Sequence, residues 1–216
     1  MKIPPRSKVV LIGDSITDAE RAKPVGEGLF GALGKGYVSQ IDAILTATSP
    51  GDRIRLVNMG NSGNTVLDLT KRWQTDVLDL QPNWLSIMIG INDVWRQFDS
   101  PWQTDGHVSL EIYRHHLEEL VSKTRPLVQG MVLMSPFVIE PNRADAMRSQ
   151  MDRYGAVGRE LAEKYDAIFM DVQAAFDVAT EHLHPTAIAW DRIHPGAAGH
   201  MMIARAFLQA VDFEWE

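Results

Sequence analysis

Cysteine is absent from the 216 residues. That excludes disulfides, thiolate nucleophiles and cysteine metal sites together. Basic runs are missing too: the formal charge is −7, with acidic and basic residues interspersed. Neither nucleic acid nor an anionic membrane is therefore expected as a partner. No apolar stretch approaches transmembrane length, and the run ahead of Gly13 is too short for a signal-peptide core. A cytoplasmic protein is the expectation, unless a leader has been removed. G-x-S-x-G occurs nowhere, which argues against the nucleophile elbow of the α/β-hydrolases. Internal repeats, low-complexity segments and linkers are also lacking.

What is present alternates. Apolar runs at 8–13, 54–59, 84–90, 131–137 and 167–172 read as buried strands, near-continuous in apolar residues as parallel strands are. Helical segments are expected at about 37–48, 65–80, 107–124, 145–165 and 196–210. Thr65-x-x-Asp68 is a capping box for the second, and Pro82 and Pro126 stop the second and third. With 45% apolar residues, the length suits one sizeable core. The expectation is a single domain over 1–216, a three-layer α/β/α sandwich around a five-stranded parallel sheet, flavodoxin-like in type.

Open sheets of this kind place chemistry at the carboxyl ends of their strands, and three strand ends are polar. The first gives Gly13-Asp14-Ser15. Ser15-x-x-Asp18 can be read as a capping box or as a nucleophile at a strand edge. The second gives "NMGNSGNT", with Asn58, Gly60, Asn61, Ser62, Gly63 and Asn64. The third gives "GINDVW", with Gly90, Asn92 and Asp93. Downstream, "AWDRIHPGAAGH" sets Asp191 three residues before His194. Separately, these are ordinary loop and cap residues; Asn92 could cap a helix, and so could Asp191. Together they supply a hydroxyl, an imidazole, a carboxylate, a glycine-rich loop and a side-chain amide, the parts needed for acyl transfer by a serine.

On these motifs the sequence resembles the SGNH hydrolases, the GDSL esterase superfamily. "GDSITD", "GNSGNT", "GIND" and "DRIHP" match its four blocks in order. "FGALGKGYV", "SIMIGINDVWRQ", "MDRYGAV" and "AWDRIHPGAAGHMMIARAFL" are similar to its small bacterial acetylxylan esterases. The resemblance implies that Ser15 is the nucleophile, His194 the base and Asp191 its orienting carboxylate. It implies an oxyanion hole from the Ser15 amide, the Gly63 amide and the Asn92 side chain, with Gly63 rather than Gly60 the aligned glycine. It also implies a homo-oligomer acting on a small acetylated sugar, with no cofactor. Asp14, Asn64, Trp95 and Trp190 are expected to contact substrate. Trp95, Trp102 and Trp190 could stack on sugar rings or pack in a core or subunit interface.

Two further motifs offer rival readings. "GEGLFG" at 26–31 satisfies G-x-G-x-x-G but follows no strand, so a loop near the site is the better reading than a dinucleotide site. His182, His184, Asp191 and His194 could ligate a metal, yet that reading leaves Ser15, Gly63 and Asn92 without roles. No metal is expected. The histidines at 107, 115, 116 and 200 are read as solvated or structural. A non-catalytic sugar-binding protein is the remaining alternative; an intact Ser15, Asp191 and His194 argues against it.

Overall fold

The computed structural model describes residues 1–215 of the chain. Five strands, β1 (Lys8–Gly13), β2 (Arg55–Gly60), β3 (Trp84–Met88), β4 (Gly130–Met134) and β5 (Ile168–Met170), form one parallel sheet in the order β2-β1-β3-β4-β5. Nearly all their residues are buried, which explains the unbroken apolar runs in the sequence.

Among the described residues, nine α-helices accompany the sheet: α1 (Ser15–Asp18), α2 (Tyr37–Thr48), α3 (Val66–Trp73), α4 (Ile91–Asp99), α5 (Leu110–Thr124), α6 (Ala146–Lys164), α7 (Val172–Thr180), α8 (Pro185–Ile188) and α9 (Ala197–Ala210). Helix α2 packs on α9 and α9 on α7, whereas α3 packs on α5 and α5 on α6. Those are the two outer layers of the sandwich. The sheet grows outward from β1 in both directions, so β1 and β3 flank the point where strand order reverses. Gly13 sits level with Gly60 on one side and Met88 on the other. The chain segments leaving β1, β2 and β3 therefore emerge side by side.

The structure corrects several boundaries. The expected strands at 84–90 and 131–137 end at Met88 and Met134. Gly90, with φ at 122°, turns the chain into α4, and Pro136 has no amide to donate to a ladder. Phe137, Val138 and Ile139 are buried without being strand. The expected strand to 172 stops at Met170 because Asp171 caps α7 through the Ala174 amide. Helices α1, α4, α7 and α8 were not expected. The expected helix at 65–80 is α3 followed by a π turn over Gln74–Leu78. Its start is held as anticipated: the Thr65 amide donates to the Asp68 carboxylate at 3.0 Å.

Candidate active site

β1 delivers the nucleophile. A Cβ at Gly13 would lie 2.4 Å from the Met88 carbonyl oxygen and from Thr17 Oγ1, so only glycine lets the turn close this tightly. Ser15 does not form a capping box with Asp18. The cap of α1 is Asp14, whose Oδ1 accepts the Ile16 amide at 3.0 Å. Asp18 instead reaches the neighbouring loop, where its Oδ2 accepts from the Ser62 amide and hydroxyl and from Lys23 Nζ. The side chain of Ser15 is thereby free of local duties.

Ser15 Oγ lies 2.9 Å from His194 Nε2, and His194 Nδ1 lies 2.6 Å from Asp191 Oδ2. Because Nδ1 faces the carboxylate, it carries the ring proton, and Nε2 is left to accept from the serine hydroxyl. Asp191 is not a helix cap, since Gly196 precedes α9; its Oδ1 accepts the amides of Ile193 and His194 at 2.9 and 2.8 Å. Burial opposes ionisation of Asp191. Hydrogen bonds from the His194 ring and from the two amides outweigh it and hold the carboxyl below the ordinary carboxylate range. Arg192, between the two residues, has φ at 67°, a left-handed conformation that glycine takes at little cost and arginine does not. Its carbonyl accepts the Ile139 amide at 2.8 Å, and its guanidinium lies 2.8 Å from Glu140 and 3.5 Å from Asp145. These contacts pin the loop to the segment after β4.

The loop after β2 and the start of α4 face the serine. Gly60 packs so closely on α1 that a Cβ would lie 2.1 Å from the Asp18 amide nitrogen, and its own amide donates to Asn58 Oδ1 at 2.9 Å. Gly63 is different: its φ is 81°, a Cβ there would meet nothing, and its amide engages no acceptor among the described residues. Asn92 lies in the first turn of α4 behind its cap, Gly90. Buried, it donates one Nδ2 hydrogen to the Asn64 carbonyl at 3.0 Å, which leaves the other for a ligand.

Two residues expected to touch substrate have other work. Asp14 is fully buried. Burial pushes its carboxyl up to about 7, with the Ile16 amide and the His194 charge opposing. Asn64 is buried, and its Oδ1 accepts from Arg72 Nε at 2.7 Å. Trp95 packs its edge on His194, ring centroids 5.6 Å apart. Trp190, just before Asp191, is 81% exposed. Trp102 is exposed as well. His200 is structural: its Nδ1 accepts the Tyr37 amide at 3.2 Å.

The rival motifs do not assemble. The 26–31 segment is irregular, joined to β2 by a bridge between Gly26 and Asn58. His182 and His184 do not converge on Asp191 and His194; His184 Nδ1 faces Thr186 Oγ1 instead. A separate cavity of about 230 Å³ is lined by Ser135, Arg148, Asp152 and Asp177 among others, and contains none of the triad. The motifs do not show the loop-holding roles of Asp18, Arg72 and Arg192. Each acts through backbone groups or loops remote in sequence, which a motif search over side chains does not register.

A family model for GDSL-like lipases and acylhydrolases matches residues 11–202. The chain belongs to this family, the SGNH hydrolases. An acetylxylan esterase of Geobacillus stearothermophilus is 54% identical over 215 residues, covering all of this chain and 98% of that protein. Its crystal structure matches with a TM-score of 0.98 and the same coverage. An α/β hydrolase from the metagenome of Lake Arreo, Spain, is 55% identical, with both chains fully covered and a TM-score of 0.98. Solved structures of the Geobacillus esterase include catalytic mutants in which a serine, an aspartate or a histidine is replaced by alanine.

Proposed function

We propose that this SGNH hydrolase is a serine esterase that removes acetyl groups from short acetylated xylo-oligosaccharides. The observation that carries the reading is the unbroken chain from Ser15 Oγ through His194 to Asp191, set beside the Gly63 amide, which engages no acceptor among the described residues. His194 takes the hydroxyl proton as Ser15 Oγ attacks the acetyl carbonyl carbon, and Asp191 stabilises the imidazolium. The amides of Ser15 and Gly63 and the Asn92 side chain receive the developing oxyanion; such donors are worth about 3–4 kcal/mol each. As the C–O bond to the sugar breaks, His194 returns its proton to the departing sugar oxygen. Water, deprotonated by the same imidazole, then releases acetate and restores Ser15.

The sugar assignment draws support from the acetylxylan esterase relative and from aromatic faces beside polar groups. Trp95 flanks His194, and Trp190 stands exposed beside Asp191; such faces suit a sugar ring better than an alkyl chain. No helix among the described residues is long and apolar enough to cross a membrane. We further propose a cytoplasmic homo-oligomer that receives imported oligosaccharides, for which the exposed Trp102 and Trp190 are candidate interface residues. The deciding experiment compares specificity constants for acetylated xylobiose and xylotriose with those for octanoyl esters and acyl-thioesters. Acetylated sugars should be preferred. A preference for octanoyl esters or thioesters would identify a generalist lipase or thioesterase and overturn the substrate while leaving the triad standing.

A further inference from the structure

The guanidinium of Arg72 is mostly buried, its side chain 15% exposed, and it is bonded to four groups on separate segments. Nη2 donates to the carbonyl of Gly13, the last residue of β1, at 2.9 Å. Nη1 donates to the Met59 carbonyl in β2 at 2.7 Å and to Asp76 Oδ2 at 2.7 Å. Nε donates to Asn64 Oδ1 at 2.7 Å. Asp76, one helical turn onward, balances the charge and fixes the fork. The remaining three acceptors belong to the nucleophile's strand, the oxyanion loop's strand and the oxyanion loop itself. Asn64 extends the chain of contacts, because its carbonyl accepts from the Asn92 amide.

We propose that Arg72 is a positioning residue that locks the Gly63 loop and Asn92 against the strand carrying Ser15, so that the oxyanion donors are aligned before substrate arrives. This rests on the esterase reading above. Gly63 brings no side chain to hold its own left-handed turn, which has open space beside it; Asp18 holds the loop on one side through Ser62, and Arg72 holds it on the other through Asn64. Lysine could not replace the arginine. An ammonium has three donors on a single nitrogen and cannot meet four acceptors fixed around a guanidinium. The catalytic pair is anchored elsewhere, through Arg192 to Ile139 and Glu140, so Arg72 should govern the rate without governing the base.

The test uses Arg72→Lys and Asn64→Ala in the full chain, with p-nitrophenyl acetate turnover normalised to the serines titrated by an organophosphonate. A misplacement on the ångström scale costs about a hundredfold in rate. Arg72→Lys should therefore lower kcat per titrated serine about 10- to 100-fold, with KM within twofold and the pH dependence of kcat/KM unchanged. Asn64→Ala, which removes one acceptor and leaves its carbonyl in place, should lose about 3- to 10-fold. The double variant should lose no more than Arg72→Lys alone. Amide hydrogen exchange, read independently of activity, should accelerate across residues 60–66 in Arg72→Lys and stay as it was across 191–194. A kcat within twofold of the parent, a uniform rise in exchange, or a KM increase confined to Asn64→Ala would overturn the proposal. Absence of esterase activity in the parent would instead refute the functional reading, and the exchange pattern would still decide the role of Arg72.

Discussion

Asp14→Asn should stabilise the protein in mild alkali, although it alters the residue next to the nucleophile. Asp14 is fully buried, and burial lifts its carboxyl to about 7 from the ordinary 3.8. Its Oδ1 accepts the Ile16 amide, while its Oδ2 has no partner among the described residues. The folded protein therefore holds a proton on Asp14 at pH values where the unfolded chain has lost it. The stability associated with this group is complete below about 4 and disappears as the pH rises to about 7. A gap of about three pH units corresponds to about 4 kcal/mol, a ceiling because Asp93, buried nearby and also lifted to about 7, is coupled to the same site. Asparagine keeps the Oδ1 acceptor and cannot ionise. It adds one further unpaired N–H, which costs about 1 kcal/mol or more. Urea denaturation at pH 8.5 should show Asp14→Asn more stable by about 2–3 kcal/mol, and at pH 4.5 equal or slightly less stable. A variant less stable than its parent at pH 8.5 would mean that the carboxylate is ionised and supported, and the burial argument would fall.

Ser15→Ala should abolish ester hydrolysis with an unchanged circular dichroism spectrum, since Asp14 rather than Ser15 caps α1; residual turnover by the folded variant would displace the nucleophile. Asn92→Ala should lower kcat about 10²–10³-fold with little change in KM, as loss of an oxyanion donor does; a matching rise in KM would assign Asn92 to ground-state binding. His200 is held down to about 4 by burial, with the His194 charge acting the same way. The unfolded chain therefore takes up a proton first, and stability should fall by up to about 3 kcal/mol as the pH drops from about 6.5 to 4. His200→Gln should flatten that limb, and an unchanged slope in chemical denaturation would refute the assignment.

The sheet and the four motifs were legible because both are written in local pattern. Buried parallel strands leave unbroken apolar runs, and Gly13, Gly63 and Gly90 stand where the backbone must turn. The helices α1 and α8 escaped because four residues carry no period. The expected strand at 131–137 runs past Met134 because Phe137 is as buried as any strand residue; burial, not ladder pairing, is what apolarity reports. Asp14 and Asn64 looked like substrate ligands because polar residues beside a motif suggest a cleft. Asp14 instead caps α1 through the Ile16 amide, and Asn64 is held by Arg72 and Asn92, contacts that adjacency to a motif does not reveal. Arg72 was invisible for a related reason: two of its acceptors are backbone carbonyls, and a carbonyl belongs to every residue alike.

The two halves of the chemistry hang on different parts of the fold. Ser15, Gly63 and Asn92 follow the ends of three adjacent strands, β1, β2 and β3, on backbone packed too tightly at Gly13 and Gly60 to admit a methyl group. Asp191 and His194 sit on a loop between α8 and α9 that is tied to the segment after β4. The halves meet where Ser15 Oγ faces His194 Nε2 and where Trp95 packs its edge on the same imidazole. A non-glycine residue in the left-handed region costs on the order of 1–3 kcal/mol. Arg192 holds that conformation, and its carbonyl and guanidinium contacts supply the offset. Glycine at 192 would relieve the backbone while releasing the loop from Glu140 and Asp145. Arginine thus favours a fixed imidazole over a relaxed turn, which suits a base that must take a proton from one oxygen and deliver it to another without moving.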